Sequence, residues 1–144
     1  MSEDTETHFT MLRRCGARIT PVVRAVVNHL HAVASVRSPQ ALKAEISAAL
    51  GCEIGFPTIY RVLDRLMCSG LVCLMHRSDN QTCYYLCRTP GAHHHHHFIC
   101  TACGSVQEVD VCIDKEFSRY VEQHLGARMT GHIVQLEGVC AQCN

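Results

Sequence analysis

Two C-x-x-C pairs, Cys100-Thr-Ala-Cys103 and Cys140-Ala-Gln-Cys143, lie 36 residues apart in this chain. Two thiolates at that spacing reach one tetrahedral ion from a single tight turn, and two such turns complete a four-cysteine shell. Soft sulfur donors in a closed four-ligand shell favour zinc, in a structural role. Gly104 follows the first pair and suits the bend of such a knuckle. Directly before that pair stand five consecutive histidines, 93–97, inside the chain rather than at an end, where an expression tag would sit. If they enter a β-strand, successive side chains point to opposite faces. His95 and His97 then share one face, and His94 and His96 the other, giving two chelating pairs. Donors available to complete them are Cys73, Cys87, Glu108, Asp114 and His132.

The rest of the composition agrees with metal chemistry. Eleven cysteines and eleven histidines in 144 residues far exceed background. The cysteine count is odd, four fall in C-x-x-C pairs, and the acidic start MSEDTETHF does not read as an export signal. A disulfide framework is therefore disfavoured, and a soluble cytoplasmic protein is expected. No apolar stretch approaches the ~18 residues that span a bilayer. No H-E-x-x-H is present, and closed shells of cysteine and histidine argue against a zinc hydrolase, whose ion keeps an open position. A zinc store or metallochaperone needs no nucleic acid, and the amino-terminal part argues against it.

Charge divides the chain. Residues 1–90 carry ten Lys/Arg and seven Asp/Glu, a net of +3, and residues 91–144 carry three and six, a net of −3. Seven of the eleven histidines follow residue 90. Two jobs are implied, with a boundary near Pro90-Gly91: a domain over 1–88, a hinge over 89–92 and a second domain over 93–144.

Those elements must position the donors. Thr20-Pro21 is a capped helix start followed by Val23, Val26, Val27 and Leu30 on one face. Ser38-Pro39 repeats the start, with Leu42, Ile46, Ala49 and Leu50 inward and Gly51 closing. A third helix runs from about Pro57-Thr58 to Gly70, burying Ile59, Val62, Leu63 and Leu66. It leaves Tyr60, Arg61, Asp64 and Arg65 outside, with both arginines on one face. The runs LVCLMH and TCYYLC around R-S-D-N-Q read as a hairpin. Three helices and a hairpin form a winged helix, whose last helix enters the major groove of double-stranded DNA. Beyond residue 90, stretches 97–100, 105–110 and 128–139 are strand-like. Residues 112–125 are helical, with Ile113, Phe117, Tyr120, Val121 and Leu125 expected inward. The fold class is α+β, and the small second core calls for dimerisation and a zinc staple.

In combination, P-T-I-Y-R-V-L-D-R-L (57–66), H-H-H-H-H-F-I-C-T-A-C-G (93–104) and G-H-I-V-Q-L-E-G-V-C-A-Q-C (131–143) resemble the ferric uptake regulator family of metal-sensing repressors, and most of all its zinc uptake regulators. The resemblance covers about residues 9–143. It implies a homodimeric repressor of operator DNA, with an amino-terminal winged helix and a carboxy-terminal α/β dimerisation domain, controlling zinc uptake genes. It places Cys100, Cys103, Cys140 and Cys143 on the structural zinc site, and Thr58, Tyr60 and Arg61 on the recognition helix. Arg18 falls at a basic position that reaches the minor groove. It places Cys73, Cys87, His95 and His97 on the sensing site, with His76 as the alternative to Cys73. An accessory site follows from His94, His96, an acid and His132. Lys115 stands where that acid is usual, so Glu108, Asp114 or Glu116 must replace it. Two to three zinc ions per subunit are implied. Iron and peroxide sensors of the family carry a histidine and a carboxylate where this chain has Ser35-Val36 and Tyr85. These departures weaken the alternative reading, an iron- or peroxide-responsive regulator, and the two wing cysteines favour zinc.

Overall fold

The computed structural model describes residues 3–88, 95–112 and 114–144, with the side chains of residues 3, 4 and 114 outside the description. The chain divides into two compact units, Met1–Gly91 and Ala92–Asn144. Residues 89–92, read above as a hinge, lie outside the described residues, as do His94 and Ile113.

The first unit runs α1 (Glu3–Arg14), α2 (Pro21–Val33), α3 (Pro39–Leu50), α4 (Phe56–Cys68), β1 (Val72–His76) and β2 (Thr82–Leu86). The helix starts follow the cap chemistry. Thr20 accepts from the Val23 amide at 3.3 Å and Ser38 from the Ala41 amide at 3.1 Å, each with proline in the first turn. Gly51 ends α3 in the left-handed conformation, donating to the carbonyls of Ala48 and Ser47. The apolar stripes of α2 and α4 are buried as their spacing predicts, together with Leu42 and Ile46 of α3. Ala49 is exposed instead, one step too far round the helix, and Leu50 only packs against the core's edge.

Helix α1 is the element that the sequence pattern did not announce. Its polar string EDTETHFTMLRR has two fully buried apolar anchors, Phe9 and Leu12. Thr5 and His8 complete the buried face at helical spacing, so the amphipathic signal is carried by residues that do not look apolar. Arg13 reaches back to Glu6 at 2.9 Å, and Arg24 of α2 stacks 4.6 Å over the Phe9 ring. Strands β1 and β2 pair antiparallel, with Val72 opposite Leu86 and Cys73 opposite Tyr85. Val72, Tyr84 and Leu86 face the helical core.

The second unit contains β3 (His96–Cys100), β4 (Val106–Val109), α5 (Asp114–Leu125) and β5 (Gln135–Gly138), in the sheet order β4-β3-β5. Strand β3 is antiparallel to β4 and parallel to β5. Gly138 sits against the Phe98 ring, where an added Cβ would come within 2.9 Å of a ring carbon, so only glycine allows this close approach of β5 to β3. The expected inward stripe of α5 is a correction. Phe117, Tyr120 and Leu125 are 55%, 57% and 67% exposed in the single chain. Ile133 is 97% exposed, and residues 128–134 precede the strand rather than belonging to it. A sheet of such short strands cannot bury a full helix face, and these apolar groups are left facing out.

Candidate metal centres and nucleic-acid face

The parallel register sets Cys100 beside Gly138, two residues before Cys140, and so brings the two C-x-x-C turns together. The first turn closes with the Cys100 amide donating to Ser105 and the Gly104 amide to Cys100, and Gly104 adopts φ +72°. The second closes with the amides of Cys143 and Asn144 donating to the Cys140 carbonyl. The four sulfurs of Cys100, Cys103, Cys140 and Cys143 lie within 4.8 Å of one another, and Cys103 to Cys140 is 3.8 Å. Bonds of ~2.3 Å to a tetrahedral ion require sulfurs about 3.8 Å apart, which is the Cys103–Cys140 spacing, so the cluster suits zinc. The amides of Cys103 and Cys140 donate toward Cys100 and pull its thiol down to about 6. Ser105 holds Cys103 low. Cys143, crowded by Cys140 and Cys103, is pushed up to about 12. Four thiols this close do not all ionise against one another, and a divalent cation is the partner that makes four thiolates compatible.

In the first unit, Cys73 on β1 and Cys87 just after β2 share one face of the hairpin, with their sulfurs 2.6 Å apart. Cys87 is buried and Cys73 half-buried. His76 is three residues from Cys73 on the same strand, therefore on the opposite face, and exposed. The geometry groups Cys73, not His76, with Cys87.

In the second unit, β3 separates the histidines by parity. The rings of His95 and His97 meet edge to face at 4.8 Å. Both ring nitrogens of His95 are buried with no hydrogen-bond partner among the described residues, which suits a metal ligand better than a core histidine. Burial, then the neighbouring His95, holds His97 below its ordinary 6.5 and so in the neutral, ligating form. Glu108 lies opposite His97 in the β3–β4 register, and His95, His97 and Glu108 present donor atoms within 4.8 Å. That corrects the accessory reading, which set Glu108 beside His96 and His132. His96 turns to the other face, where its Nε2 lies 3.3 Å from that of His132. The third donor there is Cys112, whose Sγ is 3.4 Å from His132 Nε2. Sequence reasoning took Cys112 only as the start of a helix. Strand parity alone could have excluded Glu108 once the register was known, but nothing in the spacing pointed to Cys112.

The remaining predicted positions lie on the surface of the first unit. Thr58, Tyr60 and Arg61 project from the exposed side of α4, Tyr60 with 42% exposure, and Arg18 is exposed in the turn between α1 and α2. Tyr60 also lines a groove with Ser38, Gln40, Asn80 and Gln81, which joins the exposed side of α4 to the start of α3 and the hairpin turn.

The ferric uptake regulator family model matches residues 14–137. The chain belongs to the ferric uptake regulator family. It is 30% identical over 135 residues to the ferric uptake regulation protein of Campylobacter jejuni, covering 93% of this chain and 84% of that one. It is 32% identical over 128 residues to the zinc uptake regulation protein of Mycobacterium tuberculosis, covering 89% and 95%. Among solved structures, a zinc uptake regulator complexed with zinc and DNA superposes with a TM-score of 0.77, at 24% identity over 99% of this chain and 96% of the other, and attests the fold. The ferric uptake regulator of Francisella tularensis with iron gives a TM-score of 0.64 at 25% identity, covering 89% and 95%. As a ferric uptake regulator family member, the chain is a metal-responsive transcriptional regulator and not an enzyme. No helix among the described residues is long and apolar enough to cross a membrane.

Proposed function

We propose that this protein is a zinc-responsive repressor that binds operator DNA in the cytoplasm as a homodimer, with one structural zinc and a separate sensing site in each subunit. The observation that carries the reading is the thiol pair Cys73 and Cys87, side by side on one face of the hairpin; two thiolates on one tetrahedral ion stand about 3.8 Å apart, so binding parts the sulfurs by about 1 Å. Two soft sulfurs in the wing, with the imidazoles of His95 and His97 as co-ligands, make a two-cysteine, two-histidine set that selects zinc over iron and manganese. When bound, the ion supplies a closed tetrahedral shell that fixes its donors. The chain's own residues do the rest. His97 stays neutral and available as a donor, and Cys100, Cys103, Cys140 and Cys143 hold the second domain together around the structural ion. Thr58, Tyr60 and Arg61 offer hydrogen-bonding and charged groups from the exposed side of a helix suited to a major groove, and Arg18 adds an exposed charge ahead of α2. The exposed apolar set of Phe117, Tyr120, Leu125 and Leu136 supports a partner subunit over α5 and β5. Zinc favours the DNA-competent arrangement only by the difference in its affinity for the two states.

One observation favours a second reading. His95, His97 and Glu108 form a two-histidine, one-carboxylate set of the kind that suits iron(II). An iron-responsive regulator would use this triad and leave the wing thiols idle. Cys87→Ser separates the two. In the zinc reading it abolishes zinc-dependent operator binding while the dimer stays folded, and His95→Ala does the same. Full metal dependence retained in Cys87→Ser removes the thiols from the sensing site.

A further inference from the structure

The hairpin of the first unit places two thiols where they can react with each other. Cys73 lies opposite Tyr85 in the β1–β2 register, and Cys87 stands two residues beyond Tyr85. Side chains two apart share a face, so Cys73 and Cys87 are diagonal neighbours across the strand pair. Their sulfurs are 2.6 Å apart. A disulfide bond is ~2.05 Å long, so about 0.5 Å of approach closes the pair. Zinc, with thiolates about 3.8 Å apart, asks for about twice that movement in the opposite sense. Backbone hydrogen bonds hold the two strands in place. The Cys87 amide donates to the Leu71 carbonyl at 2.9 Å, and the Arg77 amide donates to Gln81 across the turn at 2.9 Å. Cys83 is the other diagonal neighbour of Cys73 and its natural competitor. Burial pushes the Cys83 thiol up, which makes it the poorer nucleophile, and the Cys73 sulfur meets Cys87 instead.

We infer that Cys73 and Cys87 are a reversible redox pair, which a hydroperoxide closes to a disulfide within the hairpin. Cys73 is half-buried and within reach of a small oxidant, while Cys87 is buried beside it. With hydrogen peroxide, the Cys73 thiolate attacks one oxygen, the O–O bond breaks, and Cys73 becomes a sulfenic acid as water leaves. The Cys87 sulfur then attacks the sulfenic sulfur, the S–O bond breaks and a second water leaves. Two thiols give up two electrons and two protons, and one hydrogen peroxide becomes two waters. A thiol reductant reopens the bond by exchange. The regulatory consequence rests on the proposed function: with Cys73 and Cys87 as sensing ligands, closure takes both thiolates from the metal, and oxidised protein loses zinc-dependent operator binding. The disulfide itself stands on the first unit alone.

Full-length protein that keeps its structural zinc, and is otherwise metal-free, is treated with hydrogen peroxide, alkylated, cut with trypsin and weighed by mass spectrometry. A parallel sample carries Cys68→Ala and Cys83→Ala, which leaves Cys73 and Cys87 as the only cysteines of fragments 66–77 and 78–88. The expected result in both samples is a linked pair of these fragments, about 2 Da lighter than their sum for the two hydrogens lost, which dithiothreitol separates. In the unchanged protein the link maps to Cys73 and Cys87, and it forms faster than the exposed Cys15 and Cys52 are oxidised. Fragments that stay unlinked while Cys15 and Cys52 are oxidised, or a link carried by Cys68 or Cys83, overturn the inference. Linked protein that keeps its zinc-dependent operator binding counts against the sensing assignment instead, so either can fail alone.

Discussion

At the level of single residues, the proposed structural and sensing roles fall to different cysteines. Cys103 closes the first knuckle and lies 3.8 Å from Cys140 across the cluster. Cys103→Ser removes one of four ligands from a site whose binding free energy is folding free energy. The expected outcome is loss of the structural zinc and a large fall in melting temperature, with dissociation of the dimer in gel filtration. An unchanged melt contradicts the structural assignment. His97 gives a pH signature. Its folded-state value is held below 6.5 by burial and by His95, so the unfolded chain binds the proton more tightly. Stability from this group is therefore full above about 6.5, and is lost as pH falls through the lowered folded value. Denaturant unfolding of the zinc-stripped sensing site shows this as a slope that His97→Asn flattens; an identical slope in the variant removes His97 as its source.

Among the elements, α4 and α5 present contrasting surfaces. The outer side of α4 is polar and basic, with Arg61 and Arg65 one turn apart. If Arg61 reaches a base edge, Arg61→Ala costs about 1–3 kcal/mol of specific binding, measured by mobility shift against operator and scrambled DNA. An unaltered preference takes Arg61 out of the interface. Helix α5 instead exposes Phe117 and Tyr120. Phe117→Asp is expected to shift the protein from dimer to monomer in sedimentation while structural zinc remains bound; a dimer of unchanged affinity places the subunit contact elsewhere. Helices α2, α3 and α4 and the hairpin were legible in the sequence because caps, prolines and 3.6-residue periodicity all agree there. Helix α1 was not, since Thr5 and His8 occupy half of its buried face. The stripe of α5 was read correctly as a stripe and wrongly as inward, because periodicity identifies an apolar face but not what covers it.

On the scale of the whole molecule, the chain joins a basic unit to an acidic one that is rich in ligands. The C-x-x-C pairs were plain in the sequence because each is local. The separation of His96 from His95 and His97 was also legible, since strand parity is local. Glu108 and Cys112 were not, because a ligand's side depends on the β3–β4 register and on where the chain turns after β4. These are long-range facts without a short motif. The zinc reading rests on Cys73 and Cys87, and the measurement that tests it most directly is a mobility-shift titration of protein that keeps its structural zinc but is otherwise metal-free. Zinc, iron(II) and manganese(II) are added separately at buffered free concentrations. The account predicts that zinc restores operator binding at far lower free concentration than either competitor, and that Cys87→Ser loses this response. Restoration by iron(II) or manganese(II) at equal or lower concentration contradicts it.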